Sequence, residues 1–100
     1  MKKRSKVVWT RQARDDLRAI RTFIARDAPI AATTFVRRLR TAAERLESLP
    51  ESGQIVSELS NPAVREIIHG HYRIIYRTHE GVVEIVTVYH GSRMLDEHGL

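Results

Sequence analysis

Residues 64–89 read VREIIHGHYRIIYRTHEGVVEIVTVY, and this stretch decides the fold of the chain. Three runs of β-branched, aromatic and other apolar residues make up most of it, at 64–68, 72–77 and 82–89. Such runs are typical of β-strands. The segments between them, 69–70 and 78–81, are short and contain glycine, which favours hairpin turns. The stretch therefore predicts three antiparallel strands joined by two turns.

Two amphipathic helices are predicted before these strands. The apolar positions of the first recur at helical spacing: Ala13, Leu17, Ile20 and Ile24. Those of the second alternate steps of three and four residues: Ala32, Phe35, Leu39, Ala42, Leu46 and Leu49. Thr10 is a suitable N-cap for the first helix, which we expect to end near Arg26. The Asp-Ala-Pro sequence at 27–29 separates the helices, and Pro50 with Gly53 ends the second.

A short strand at residues 6–9 completes the predicted elements, because this run is again β-branched and aromatic. The order β-α-α-β-β-β predicts an α+β domain in which a two-helix hairpin packs on one face of a small antiparallel sheet. We expect the other face of the sheet to contact water or a partner. The length of 100 residues suits a single domain over 1–100, with a flexible basic N-terminus at 1–6 and a tail at 95–100.

The composition narrows the function classes. There are 17 lysines and arginines against 12 aspartates and glutamates, and the net charge of +5 favours an acidic partner. Cysteine is absent, which excludes disulfides, thiolate catalysis and cysteine zinc sites. No lysine follows Lys6, so the body of the chain offers no lysine amine for catalysis. No apolar run is long enough for export or for a membrane span, and we expect a cytoplasmic protein without membrane contact.

Several short segments together resemble the RelE/ParE superfamily of toxins. They are Trp9-Thr10, ARDDL at 13–17, Leu49-Pro50 before a glycine, VREI at 64–67, HYRIIYR at 71–77 and VYHGSR at 88–93. The resemblance extends roughly over residues 8–94. It implies a RelE/ParE-like fold, a toxin of a type II toxin-antitoxin system, or plasmid stabilisation protein, and a cognate antitoxin that wraps the toxin. It also implies one of two targets, which are DNA gyrase for ParE-like members and mRNA in the ribosomal A site for RelE-like members.

For a RelE-like nuclease the resemblance implies three catalytic residues. Arg73 and Arg93 would stabilise charge on the phosphate, and His90 would act as acid or base. The residues themselves leave other interpretations open. Arg73 shares a strand face with Arg77, and it is equally well explained as an exposed arginine paired with Glu84 across the hairpin. For His90, a polar surface residue at the end of a strand is the simpler interpretation.

Departures from the RelE-like pattern favour the ParE branch. A lysine pair before the arginine strand and a tyrosine in the C-terminal tail are both missing. We therefore expect a toxin that binds and poisons DNA gyrase and has no hydrolytic centre. The residues expected to contact gyrase or the antitoxin are Arg14, Arg18, Arg65, Arg73, Arg77 and Arg93. The alternatives are an mRNA endonuclease, including an unusual one that uses Glu51 or Glu58 with His90, and a family member that only binds its antitoxin.

His69 and His71 lie two residues apart and could hold a metal ion together with Glu66. The spacing places no third ligand. Polar residues around the turn at Gly70 are the simpler interpretation, and we expect neither a metal nor a cofactor.

Overall fold

The structure, a computed structural model, describes residues 4–91. In chain order its elements are β1 (Lys6–Trp9), α1 (Arg11–Ala25), α2 (Pro29–Glu44), a single 3-10 turn (Arg45–Glu47), β2 (Gln54–Ile55), β3 (Val64–His69), β4 (Tyr72–His79) and β5 (Val82–His90). The α+β class and the two-helix hairpin are as predicted. Within residues 4–91, neither helix combines the length and the apolar character that crossing a membrane requires.

The five strands form one sheet in the order β1-β5-β4-β3-β2. The pairs β3–β4 and β4–β5 are antiparallel, as predicted. The expectation of an entirely antiparallel sheet is wrong for β1, which runs parallel to β5 with Trp9 opposite Ile85. Four residues are too few to indicate which strand β1 pairs with, and its partner, β5, is the last strand in the chain. The two-residue strand β2 was not predicted because it is too short to show a period.

Both helices pack on one face of the sheet. The buried residues of this core include Leu17 and Ile20 from α1, Val36 and Leu39 from α2, and Ile74, Tyr76 and Ile85 from the sheet. The second apolar stripe was predicted to extend to Leu49, and this is wrong: α2 ends at Glu44, and Leu49 is 58% exposed. The 3-10 turn that follows α2 winds more tightly than an α-helix, so it rotates Leu49 away from the core.

The start of α1 is tied to an irregularity in β5. The pairing of β4 with β5 shifts between Ile75, opposite Thr87, and Tyr76, opposite Ile85, which leaves Val86 without a partner residue. The Thr10 hydroxyl donates a hydrogen bond to the Val86 carbonyl at 2.7 Å and accepts one from the Ala13 amide. Residues that cap α1 thus also satisfy backbone groups freed by the bulge in β5.

Asp16 completes this junction. Its carboxylate accepts hydrogen bonds from the Thr87 hydroxyl at 2.5 Å and from the Val88 amide at 3.0 Å. The polar residues at the start of the first helix therefore fix the register of α1 on β5. That role gives a physical reason for Thr10 and Asp16 in the N-terminal part of the sequence.

The face of the sheet opposite the helices is called here the far face. We expected it to contact water or a partner, but a covering segment, residues 56–63, lies over part of it. Val56 and Leu59 from this segment pack with Val64 and Ile75, and Ile75 is fully buried. The apolar residues of β4 are therefore buried on both faces of the sheet.

Candidate functional site

Arg73 lies on the far face of β4 and is 7% exposed. Its guanidinium donates two hydrogen bonds to the Glu58 carboxylate, at 2.6 and 2.8 Å, in a bidentate arrangement. It also donates from Nε and a terminal nitrogen to Oε2 of Glu66, at 2.8 and 2.5 Å. Arg73, Glu58 and Glu66 are called here the Arg73 triad. The two carboxylates thus hold the guanidinium from two sides.

Two different parts of the chain supply the acids of the triad. Glu66 comes from β3, where its partner on β4 is Ile75. Arg73 lies two residues before Ile75 on the same face of β4, so Glu66 is its diagonal neighbour. Glu58 comes from the covering segment and reaches Arg73 because Val56 and Leu59 on either side of it are anchored in the apolar cluster. The Tyr89 ring lies opposite, with the Arg73 guanidinium carbon 5.7 Å from its centroid.

The triad fixes the charge of Arg73. The hydrogen bond to Glu58 raises the pKa of Arg73 far above its ordinary value, more than burial lowers it, and Glu66 raises the pKa further. The guanidinium is therefore a permanent cation whose hydrogen-bonding edges face two carboxylates. A phosphate group could reach these edges only by displacing at least one of the acids.

A depression of about 450 Å³ opens beside the triad. Its lining residues are Glu58, Glu66, Ile68, Gly70, His71, Tyr72, Arg73, His90 and Gly91. The His71 and His90 rings stack across it with centroids 6.0 Å apart and an angle of 18° between their planes. The Gly91 amide donates to the His71 carbonyl at 2.7 Å and so closes the end of the β4–β5 ladder. Two imidazoles, two carboxylates and a guanidinium therefore share one small surface.

The structure corrects the interpretation of Arg73 as an exposed arginine paired with Glu84. Glu84 instead contacts Arg77, whose Nε lies 2.9 Å from the carboxylate, and both side chains are substantially exposed. The prediction assigned the right kind of ion pair to the wrong arginine. The covering segment is the physical reason, because it buries Arg73 and carries the acid that binds it.

The other predicted contact residues are spread over the molecule. Arg65 is half-buried and donates to the carbonyls of Gly53, at 2.9 Å, and Glu51, at 3.3 Å, so it holds the chain that leads into β2. Arg14 and Arg18 are exposed on α1. Arg73 and His90 are brought together in the depression. Arg93 lies outside the described residues.

The metal alternative receives no geometric support. His69 packs against Phe35 of α2, with ring centroids 5.6 Å apart, whereas Glu66 is bound to Arg73 on the far face. In the part of the chain from residue 4 to residue 91, no group of three or more histidine, aspartate or glutamate side chains is placed to hold a metal ion.

Sequence reasoning did not assign the acids of the triad to Arg73. Glu66 could have been found, because the period of two places Val64, Glu66 and Ile68 on one face of β3, beside the Arg73 face of β4. Glu58 could not, since it lies in a segment without regular structure. His71 was considered only as a metal ligand, and its position opposite His90 depends on the geometry of the turn at Gly70.

The chain was compared with known proteins. The family described as "ParE toxin of type II toxin-antitoxin system, parDE" matches residues 7–95. Toxin RelE2 of Caulobacter vibrioides is 38% identical over 91 residues, which are 90% of this chain and 99% of the relative.

Two solved structures have a similar fold. A chain from the chromosomal ParDE TA system of P. aeruginosa aligns with a TM-score of 0.74 at 20% identity, covering 89% of this chain and 98% of that chain. A chain from the toxin-antitoxin complex RelBE2 of Mycobacterium tuberculosis aligns with a TM-score of 0.61 at 22% identity, covering 87% and 98%. At these identities the two structures support the fold only.

Proposed function

Because the chain belongs to the ParE toxin family of type II toxin-antitoxin systems, we propose that it stops growth by binding and poisoning DNA gyrase. A cognate antitoxin would neutralise it by covering the contact surface. The proposed contact residues are Arg14, Arg18, Arg65, Arg73, Arg77 and Arg93. Arg14 and Arg18 lie on the helical side of the sheet and Arg73 and Arg77 on its far face, so the antitoxin would have to wrap the domain. Among these residues, Arg73 acts by holding the covering segment in place, because the triad already engages its guanidinium.

The observation that carries this proposal is the Arg73 triad. A ribonuclease of the RelE-like kind needs an accessible guanidinium to stabilise charge on the reacting phosphate. Here Glu58 and Glu66 hold that guanidinium with four hydrogen bonds, so a phosphate would have to displace at least one of these acids to reach it. Binding to a protein target requires no such accessible group, so the geometry favours inhibition by binding over RNA cleavage.

The net charge supports an antitoxin with an acidic binding segment. The chain carries +5 overall, and its exposed arginines include Arg14, Arg18 and Arg77. An extended segment with aspartates or glutamates would be attracted to this surface and would associate faster at low salt. The two similar structures come from toxin-antitoxin systems of other bacteria, which is consistent with such a partner.

Purified gyrase tests the proposal directly. Supercoiling and DNA cleavage by gyrase would be measured with the chain added, and with the chain premixed with the protein encoded beside its gene. We expect loss of supercoiling with accumulated cleaved DNA, and reversal of both effects by the neighbouring protein. Arg77→Gln, a substitution in an exposed pair, should weaken poisoning without loss of folding. Gyrase that works normally at a large excess of folded chain would refute the proposal.

An mRNA endonuclease is the second candidate, and the depression beside the triad is the observation that favours it. His71 and His90 face each other there, and two imidazoles can serve as acid and base in RNA cleavage. The relative Toxin RelE2 carries the name of the RelE branch, which is consistent with this candidate. Translating ribosomes would be treated with the chain and with His90→Ala. Cleavage of message within codons that the variant abolishes would establish this candidate, and intact message during growth arrest would exclude it.

A further inference from the structure

Four arginines form a single stripe along α1. Arg11, Arg14, Arg18 and Arg21 follow one another at steps of three, four and three residues, and all four are exposed. These four residues are called here the arginine stripe. A different side of α1 is buried against the sheet and against α2, and it carries Ala13, Leu17 and Ile20. At 3.6 residues per turn, the stripe is a continuous edge of the helix.

Little negative charge from the protein itself reaches the stripe. Arg18 contacts Asp15 at 3.4 Å, but these side chains are 79% and 53% exposed, so water screens the pair. The neighbouring Asp16 is bound to Thr87 and Val88. Within residues 4–91, the other three arginines of the stripe make no ion pair.

The C-terminal half of the stripe borders a shallow depression of about 560 Å³. Its lining residues are Arg18, Arg21, Thr22, Ala25 and Arg26. Three guanidinium groups and a hydroxyl thus line one surface, and none of these lining residues is acidic. Guanidinium groups bind phosphate oxygens in paired hydrogen bonds, which makes such a surface suited to phosphate groups.

We propose that the arginine stripe binds the phosphate backbone of duplex DNA. Ten residues separate Arg11 from Arg21, which corresponds to about 15 Å along the helix. Both strands of duplex DNA carry closely spaced phosphates, so a straight cationic edge of this length is long enough to contact several of them.

The stripe taken alone, without apolar surface elsewhere on the domain, suits a polyanion better than a protein partner. Protein interfaces use arginine as well, but they centre on buried apolar and aromatic residues, and the stripe contains none. Phe23 is exposed on α1, but helical geometry places it on the opposite side of the helix from the stripe. The choice of DNA over RNA rests on the proposed function, because gyrase holds duplex DNA while it is poisoned.

Fluorescence anisotropy with a short labelled DNA duplex tests the inference. The full chain would be titrated into the duplex at 50 and 200 mM salt. If four phosphates are contacted, the affinity should fall about 100-fold between these concentrations. Absence of binding at 50 mM salt would overturn the inference.

Two matched variants separate the stripe from net charge. Arg14→Gln/Arg21→Gln removes two charges from the stripe, and Arg38→Gln/Arg40→Gln removes two exposed charges from α2. Glutamine preserves helix propensity at all four positions. The stripe variant should lose most of the affinity, and its remaining affinity should fall only about 10-fold between the two salt concentrations. The α2 variant should bind nearly as the unchanged chain does. Equal losses in both variants would overturn the inference.

Two further measurements distinguish this inference from the proposed function. A duplex RNA of the same sequence would be titrated in parallel, and equal or tighter binding of RNA through the stripe would overturn the choice of DNA. Gyrase poisoning would be measured on the same variants. A chain that leaves gyrase unaffected but binds DNA through the stripe refutes the proposed function alone. A chain that poisons gyrase while its DNA binding ignores the stripe refutes this inference alone.

Discussion

Two arginines on the same face of β4, four residues apart, have very different surroundings. Arg73 is 7% exposed and lies between two carboxylates, whereas Arg77 contacts Glu84 in a pair whose side chains are 45% and 38% exposed. The covering segment makes the difference, because it buries the Arg73 end of the strand and brings Glu58 to it. The role of an arginine on this sheet therefore depends on which part of the chain folds over it.

The largest expected effect comes from removing each arginine in turn. Arg73→Ala should lower the free energy of unfolding by about 3–5 kcal/mol, because Glu58 and Glu66 would remain buried without a cation. Arg77→Ala should lower it by about 1 kcal/mol or less, since water replaces the exposed pair. Urea denaturation followed by circular dichroism measures both. If Arg73→Ala does not fold, Arg73→Lys keeps a charge and should still lose more than Arg77→Ala. Equal losses at the two positions would contradict the comparison.

Substituting the acids of the triad tests the covering segment itself. Glu58→Gln and Glu66→Gln should each lower the free energy of unfolding by about 1–3 kcal/mol, because each leaves part of a buried hydrogen-bonding network unsatisfied. Glu58→Gln should in addition speed amide hydrogen exchange in residues 56–63, since it releases the segment from Arg73. Glu66→Gln serves as the control, because Glu66 belongs to β3. Identical exchange in the two variants would mean that Glu58 does not hold the segment.

A third polar residue of β4, Tyr76, lies on the opposite face from both arginines and extends the comparison to alkaline pH. Its hydroxyl accepts a hydrogen bond from the Gly53 amide at 2.9 Å, and burial raises the pKa of Tyr76 above its ordinary value of 10.0. The unfolded chain therefore ionises first. The stabilising contribution of neutral Tyr76 is fully present below pH 10 and is lost as the pH rises through the folded-state pKa.

The unchanged chain should thus lose up to about 1.4 kcal/mol of unfolding free energy per pH unit in that alkaline range, relative to Tyr76→Phe. The variant starts from a lower stability near neutral pH, because the Gly53 amide loses its acceptor. Urea denaturation between pH 8 and pH 11, at about one-unit steps, gives the difference. Parallel pH curves for the two proteins would show that Tyr76 does not titrate in this way.

The sequence predicts the regular parts of this structure and misses what depends on the covering segment. The strands from Val64 onward were predicted from their residue types. The turn between β4 and β5 was indicated by Gly81, which has a positive φ of 80°. The pairing partner of β1 could not be predicted from four residues. Nor could the position of Glu58, because a segment without a period gives no register against the sheet. For that reason the environment of Arg73, and with it much of the candidate site, required the structure.

The smallest expected effect concerns the exposed pair. A double-mutant cycle with Arg77→Ala and Glu84→Ala should give a coupling energy of about 0.2–1 kcal/mol. At about 1 M salt the screening length falls to about 3 Å, so this coupling should nearly disappear. The same cycle on Arg73 and Glu66 should give a larger value that salt changes little, because both side chains are at most 14% exposed. A salt-sensitive coupling at Arg73 would show that the triad opens to water in solution, and a phosphate could then reach its guanidinium.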